Sequence, residues 1–303
     1  MKCGIIDVGS NTIRLSIYHY EGRQFKLLMN KKEMAGLASY IHDGLLSDSG
    51  VLVACRVLSS FKALLENLGI EALYVFGTAP LRNIANTEDA LDAIQAITGM
   101  RVDVLSGADE AKFSFLGATS DQNTPPSGLL VDIGGGSTEL VAYTDRKVTS
   151  ECSLPMGSLS LYSKYVSGLF PTSGERRAMR TQVDQELQRA KTAGLYCSHL
   201  TGVGGTVRAA AKLCNRLAEA DPDNRIIPAR EIRDLYRSLK KEDVKTLRQI
   251  LLTTPDRVHT VLPGLTILTT VLKRYHVETV SVSSCGVREG YLLQRVMGVE
   301  AHE

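Results

Sequence analysis

The stretch "LLVDIGGGSTELVAY", residues 129–143, ends an apolar run in an aspartate and then places three glycines before a serine, a threonine and a glutamate. Glycine has no side chain and tolerates positive φ, so the backbone N–H groups of Gly134, Gly135 and Gly136 can converge on an anion. Ser137 and Thr138 add hydroxyls; Asp132 and Glu139 add hard carboxylate oxygens of the kind that suit Mg²⁺ or Mn²⁺. The chain begins with a near copy. "IIDVGSNTIRLSIY" lays Asp7 on Asp132, Gly9 on Gly134, Leu15 on Leu140 and Tyr18 on Tyr143 without a gap, and offers Ser10, Asn11 and Thr12 as further donors. One Asp-x-Gly turn alone reads as an ordinary hairpin whose aspartate caps its own backbone. Two in register, each opening one half of the chain, point to phosphate groups held with a divalent cation, Asp7 and Asp132 being its ligands; Glu139 by itself reads as the polar face of a strand.

Three other places carry chemistry. In "TGVGGTVRAAA" a strand runs through glycines toward a helix, and Gly204, Gly205 and Thr206 suit anion contacts at its N-terminus. Val207 breaks the Gly-x-Gly-x-x-Gly spacing, so a dinucleotide fold is not indicated. Arg82 follows the strand "EALYVFGT" and has a planar guanidinium suited to a phosphoryl group. Glu110 opens a helix after "VDVLS", where a carboxylate by itself reads as a partner of the helix dipole. The histidines show no spacing that suggests a metal or a triad. Arg176, Arg177, Arg180, Lys240 and Lys241 read as solvated helix faces.

The elements that must position these residues repeat. Residues 1–119 predict a strand hairpin with a third strand, a helix over "DSGVLVACRVLSSFKALLENLG", a strand, another helix and the strand "RVDVLS". "SDQNTPPSG", residues 120–128, has turn and linker chemistry. The second half restarts on the same hairpin and runs "HLTGVGGT" as a strand into a helix. Long helices follow through "AREIRDLYRSLKKEDVKTLRQILL" and "LPGLTILTTVLKRY", then the strand "ETVSVSS" and a closing helix. The expected fold class is α/β, two duplicated domains with a cleft between them. The domains are 1–121 and 122–303, the closing helix being able to return to the first.

Length and composition agree. The 303 residues suit two cores, with 44% hydrophobic content. No apolar run reaches the ~18 residues of a membrane span and no signal peptide is evident, so the expectation is a cytoplasmic protein without a membrane partner. A net charge of +2 does not suggest nucleic acid. The six cysteines are scattered without metal-ligand spacing. A homodimer is left open.

Taken together, "GIIDVGSNTIRL" and "LLVDIGGGSTEL" resemble the actin, Hsp70 and sugar-kinase superfamily. "FGTAPLRNIAN", "LSGADEAKFSFLGA", "TGVGGTVRAAA" and "CGVREGYLL" narrow the resemblance to the exopolyphosphatase and guanosine pentaphosphate phosphatase (Ppx/GppA) family, in its short two-domain form. The resemblance implies an actin-like (ribonuclease H-like) fold and Mg²⁺-assisted hydrolysis of a terminal phosphoanhydride. The substrate would be inorganic polyphosphate or guanosine pentaphosphate, with Glu110 as the base for water, Arg82 on the phosphoryl group and Glu139 beside Asp132 as a metal ligand. Pro80, Gly36 and Asp109 depart from the family pattern. The alternatives are an ATP-dependent kinase of the superfamily and a non-catalytic sensor of polyphosphate or nucleotide.

Overall fold

The computed structural model describes residues 1–120, 124–190, 192, 195–239 and 244–299. Among these, no helix is long and apolar enough to cross a membrane. The chain forms two compact units, Met1–Glu110 with Tyr291–Glu300, and Ala111–Gly290. The expected boundary at 121/122 falls on residues outside those described, as does part of the expected linker.

In the first unit the opening hairpin is β1 (Lys2–Val8) and β2 (Ile13–Glu21), extended by β3 (Gln24–Glu33). A short ribbon, β4 (Ile41–His42) and β5 (Leu45–Leu46), leads to α1 (Asp48–Asn67). Then come β6 (Leu73–Gly77), α2 (Ala79–Arg82), α3 (Thr87–Thr98), β7 (Asp103–Val104) and α4 (Gly107–Thr119). The sheet order is β3-β2-β1-β6-β7. Helix α1 forms because Val51, Ala54, Cys55, Leu58, Phe61 and Leu65 recur at helical spacing, and that stripe joins the core made by Ile6, Val8, Ile13 and Leu15. Each such large side chain removed from water contributes roughly 1.5–3 kcal/mol.

The second unit repeats the plan with β8 (Gly128–Ile133), β9 (Thr138–Thr144) and β10 (Lys147–Leu154), followed by α5 (Ser158–Tyr165) and α6 (Ser173–Arg189). Next are β11 (His199–Val203), α7 (Gly204–Leu217), β12 (Ile226–Pro228), α8 (Ala229–Ser238) and α9 (Val244–Thr253). The chain continues through α10 (Val261–Arg274), β13 (Thr279–Val282) and α11 (Val287–Tyr291). The sheet order is β10-β9-β8-β11-β13-β12. The helix expected to be amphipathic over "LPGLTILTTVLKRY" is not: α10 is buried on every side from Val261 to Leu272, because it lies within the core of the second unit. The hydroxyls of Thr266, Thr269 and Thr270 donate to carbonyls one turn back, at 2.9, 2.7 and 2.7 Å, so the core holds no stranded donor there.

Duplication is written in the topology. In each unit a central strand pairs antiparallel with the next strand and parallel with a later one, as β1 does with β2 and β6, and β8 with β9 and β11. The two-sheet α/β class expected from the sequence is therefore the one observed, with β12 added at one edge.

Particular boundaries differ. The strand expected through Thr206 stops at Val203 and the helix starts at Gly204, whose φ of +88° turns the chain sharply. The expected long helix over 229–252 is two helices, and residues 240–243 between them, including Lys240 and Lys241, lie outside those described. Helix α4 carries the chain into the second unit because Ala111, Phe115 and Ala118 pack with Leu130, Val141, Tyr143 and Val203. The closing helix ends in a π-helical turn, Leu292–Val296, and Tyr291 stacks on Phe76 of the first unit at 4.8 Å.

Candidate functional site

In the first unit the β1–β2 turn closes when the Gly9 N–H donates to the Thr12 carbonyl at 3.1 Å. Asp7 stands directly across from Arg14 in the strand register. Ser10 is buried, and Asn11 and Thr12 are half-buried. The carbonyls of Ser10 and Asn11 accept from the N–H groups of Ala38 and Gly36, which braces the turn from behind. Gly36 has φ +59°, a left-handed conformation that a side chain disfavours, so its glycine has a backbone reason.

Arg82 and Glu110 come together in the same unit. Arg82 Nη1 donates to Glu110 Oε2 at 2.6 Å and to the Leu105 carbonyl at 3.0 Å, with 17% and 12% of the two ionic side chains exposed. Arg82 is placed by the short helix α2, where Pro80 sits in the first turn and has no intrahelical N–H to lose. Glu110 is placed by the start of α4, whose cap is Ser106: its hydroxyl accepts from the Asp109 N–H at 3.0 Å and donates to Asp109 Oδ2 at 2.7 Å. Asp109 is thus a capping carboxylate, leaving Glu110 on the next position for Arg82.

The glycine turn of the second unit has the same internal hydrogen bond, Gly134 N–H to the Ser137 carbonyl at 3.0 Å. Its carbonyls are taken by the start of α5: Gly134 accepts from Ser158 N–H, and Gly135 from Leu159 and Ser160 N–H, each at 2.9 Å. Gly157 must stay bare, since a Cβ there would lie 2.4 Å from the Gly135 backbone. Gly134, Gly135 and Gly136 are partly open to solvent, whereas Ser137, Thr138 and Glu139 are buried. The Thr138 hydroxyl donates to the Met156 carbonyl at 2.7 Å and so ties the turn to β10's exit.

Asp132 and Glu139 stand directly opposite each other in the β8–β9 register, and both are buried. Like charges at such positions repel, and a bound cation would ease that repulsion. Ser114 of α4 donates to Asp132 Oδ2 at 2.6 Å, and Ser153 to Glu139 Oε1 at 2.8 Å. Burial raises the Asp132 carboxyl above the ordinary aspartate range; the Ser114 hydroxyl and the nearby Arg208 and Arg288 pull it back down.

The β11–α7 turn adds cations that the sequence reading gave no role. Arg208, one helical turn beyond Gly204, is held down to about 10 by burial first, then by Arg288 and Arg257, against the opposing pull of Asp132 and Glu289. Three guanidinium groups therefore act on one another beside this turn. Arg257 lies against Gly205, where a Cβ would come within 1.8 Å of its Nη2. The buried Thr206 hydroxyl has no hydrogen-bond partner among the described residues. Glu289 accepts from the Gly286 N–H at 2.8 Å at the start of α11. Arg288 and Glu289 lie inside "CGVREGYLL" and Arg208 inside "TGVGGTVRAAA", so the blocks were visible although the side chains' roles were not. Arg257 sits in a 3₁₀ turn, Pro255–Arg257, that no periodicity announces.

Among the described residues no group of three or more His, Cys, Asp or Glu is arranged to hold a metal ion. Mg²⁺ takes only one or two carboxylates when water and substrate phosphates complete its shell. The buried pair Asp132 and Glu139 meets that requirement. Asp7, across from Arg14, has a cationic strand partner in the place where Asp132 has an acidic one.

Comparison with known proteins follows the same lines. The family model described as the Ppx/GppA phosphatase family matches residues 16–297. Exopolyphosphatase 1 of Mycobacterium tuberculosis is 24% identical over 306 residues, spanning 98% of this chain and 88% of that protein. The crystal structure of an exopolyphosphatase from Cytophaga hutchinsonii superposes with TM-score 0.87 at 22% identity over 100% of both chains. A Ppx/GppA family member from Aquifex aeolicus gives TM-score 0.80 at 24% identity, over 100% of this chain and 99% of that one. A structure described as nucleoside triphosphate hydrolases from Neospora caninum shares the fold at TM-score 0.60.

Proposed function

The chain belongs to the Ppx/GppA phosphatase family, and from that premise we propose that it hydrolyses the terminal phosphoanhydride of inorganic polyphosphate. The observation that carries the reading is the buried acid pair Asp132 and Glu139 at the mouth of a glycine turn, beside a second turn crowded by Arg208, Arg257 and Arg288. Buried carboxylates suit a cation and guanidinium groups suit an anion, and a metal-bound phosphate chain supplies both.

In this proposal the N–H groups of Gly134, Gly135 and Gly136 and the Ser137 hydroxyl hold phosphate oxygens, while Thr138 braces the turn. Gly204, Gly205 and Thr206, with Arg257, hold further phosphates. Ser10, Asn11 and Thr12 offer donors of the same kind in the first unit's own turn. Asp132 and Glu139 would hold Mg²⁺ or Mn²⁺, which when bound neutralises charge on the phosphate oxygens. Glu110 accepts a proton from water as its oxygen bonds to the terminal phosphorus; the bridging P–O bond breaks, releasing inorganic phosphate and a chain shorter by one unit. Arg82 keeps Glu110 aimed. No protein nucleophile is required.

The test is Mg²⁺-dependent phosphate release from long-chain polyphosphate, with guanosine pentaphosphate as the nucleotide comparator and ATP with and without acceptors as the kinase control. Release from polyphosphate without an acceptor is expected. Release from guanosine pentaphosphate alone would move the substrate to the nucleotide, and transfer only with an acceptor would replace hydrolysis by a kinase reaction.

A further inference from the structure

Ser114 is fully buried on α4, one turn beyond Glu110, and its hydroxyl donates to Asp132 Oδ2 at 2.6 Å. The other carboxylate oxygen of Asp132 is confined from the opposite side: a Cβ on Gly204 would lie 2.5 Å from Oδ1. The short hydrogen bond holds Oδ2, while Oδ1 lies close to the bare backbone of Gly204. Arg208 and Arg288 act on Asp132 only at longer electrostatic range, and Glu289 opposes them. A hydroxyl donor bonded to a ligating carboxylate fixes its rotation and the lone pairs it can offer; loss of such a partner commonly costs 10–100-fold in metal affinity or activity.

We propose that Ser114 is a positioning residue that sets the Asp132 carboxylate for a divalent cation. The inference rests on the reading of Asp132 given above, and it concerns a residue outside every turn that touches phosphate in that reading. A serine that merely satisfies a buried carboxylate would affect stability and leave cation affinity alone; a positioning serine affects cation affinity first.

The experiment titrates full-length protein with Mn²⁺, reading free Mn²⁺ by electron paramagnetic resonance, for wild type, Ser114→Ala and Ser114→Thr, with thermal melting of each. We expect Ser114→Ala to weaken Mn²⁺ binding about tenfold or more and to raise the Mg²⁺ concentration for half-maximal phosphate release by a similar factor. Ser114→Thr keeps the hydroxyl and restores both. Should Ser114→Ala fail to fold, Ser114→Cys, which keeps the volume and weakens the donor, is expected to show the same loss. Unchanged Mn²⁺ affinity in a folded Ser114→Ala or Ser114→Cys protein overturns the inference even if melting falls. A wild type that binds no Mn²⁺ overturns the assignment of Asp132 itself, and with it this one.

Discussion

At the scale of single residues, the pairing of Arg82 with Glu110 changes what each is expected to do. The resemblance put Arg82 on the phosphoryl group, yet its Nη1 is bonded to Glu110 and to the Leu105 carbonyl. Both bonds use Nη1, so the guanidinium can act through the carboxylate it holds and can also offer its remaining N–H donors to a phosphoryl oxygen. Glu110→Gln removes the proton acceptor while keeping size, so kcat is expected to fall about 10²–10⁴-fold with polyphosphate binding little changed. If Arg82 works through Glu110, the double variant Arg82→Ala with Glu110→Gln is no slower than Glu110→Gln alone, because groups acting as a unit are not additive. Steady-state kcat and KM of the four proteins decide this. Multiplying losses, with KM raised by Arg82→Ala alone, would return Arg82 to a direct phosphate clamp.

At the scale of elements, the first turn of α7 separates two neighbouring glycines by cause. Gly204 is held at φ +88°, and a Cβ would also meet Asp132 Oδ1. Gly204→Ala is therefore expected to lose about 1–3 kcal/mol of stability, read by denaturant unfolding. The three atoms nearest a Cβ on Gly205 belong to the guanidinium of Arg257. Gly205→Ala should lose less stability than Gly204→Ala, displace that guanidinium and raise KM for polyphosphate about tenfold, since a lost charged hydrogen bond is worth about 1.5–3 kcal/mol. Equal stability losses in the two variants would contradict this division. Helix α6 offers a test of pH dependence. Glu175 accepts from Thr172 N–H at 2.7 Å and from Ser167 N–H and hydroxyl at 2.9 and 2.8 Å, and the hydrogen bonds from Thr172 and then Ser167 hold its carboxyl down at about 2. A depressed folded-state carboxyl stabilises the fold above the ordinary glutamate range and loses that effect as pH falls through the folded value. Glu175→Gln is thus expected to melt below wild type at pH 7, the gap closing as pH falls from about 4 toward 2. A gap independent of pH would assign the effect to packing.

At the scale of the whole molecule, duplication has produced two turns with one geometry and two chemistries. Both glycines donate to the carbonyl three residues on, at 3.1 and 3.0 Å, but the residue across from the aspartate is Arg14 in one copy and Glu139 in the other. An aspartate facing arginine is offset by its strand neighbour; one facing a buried glutamate gains nothing from that neighbour and suits a bound cation. Asp132→Asn is accordingly expected to cost at least about tenfold more Mn²⁺ affinity than Asp7→Asn, by the same resonance titration. The reverse order would place the cation on the first unit's turn. Chelation followed by dialysis is expected to stop phosphate release until Mg²⁺ is restored, and turnover that survives the chelator would remove the metal from the reaction.

Much of this was legible in the chain. The repeat "DVGSNTIRL" and "DIGGGSTEL" announced two like units because strand alternation, glycine turns and register are local properties, and β1–β2 and β8–β9 formed where that pattern required. Family blocks likewise marked Glu110, Arg82 and the Gly-Gly-Thr turn. The sequence could not show that Arg82 bonds Glu110 across 28 residues, or that Ser114 reaches Asp132 across 18. Nor could it bring Arg257 from a 3₁₀ turn against Gly205. Those meetings depend on parallel strand pairing and helix packing, in which contacts are fixed by the closure of the whole unit and leave no periodic trace in the residues themselves. A lone serine or arginine looks the same in the sequence whether it faces water or a buried carboxylate; only burial, decided by the tertiary fold, gives it a partner it cannot leave.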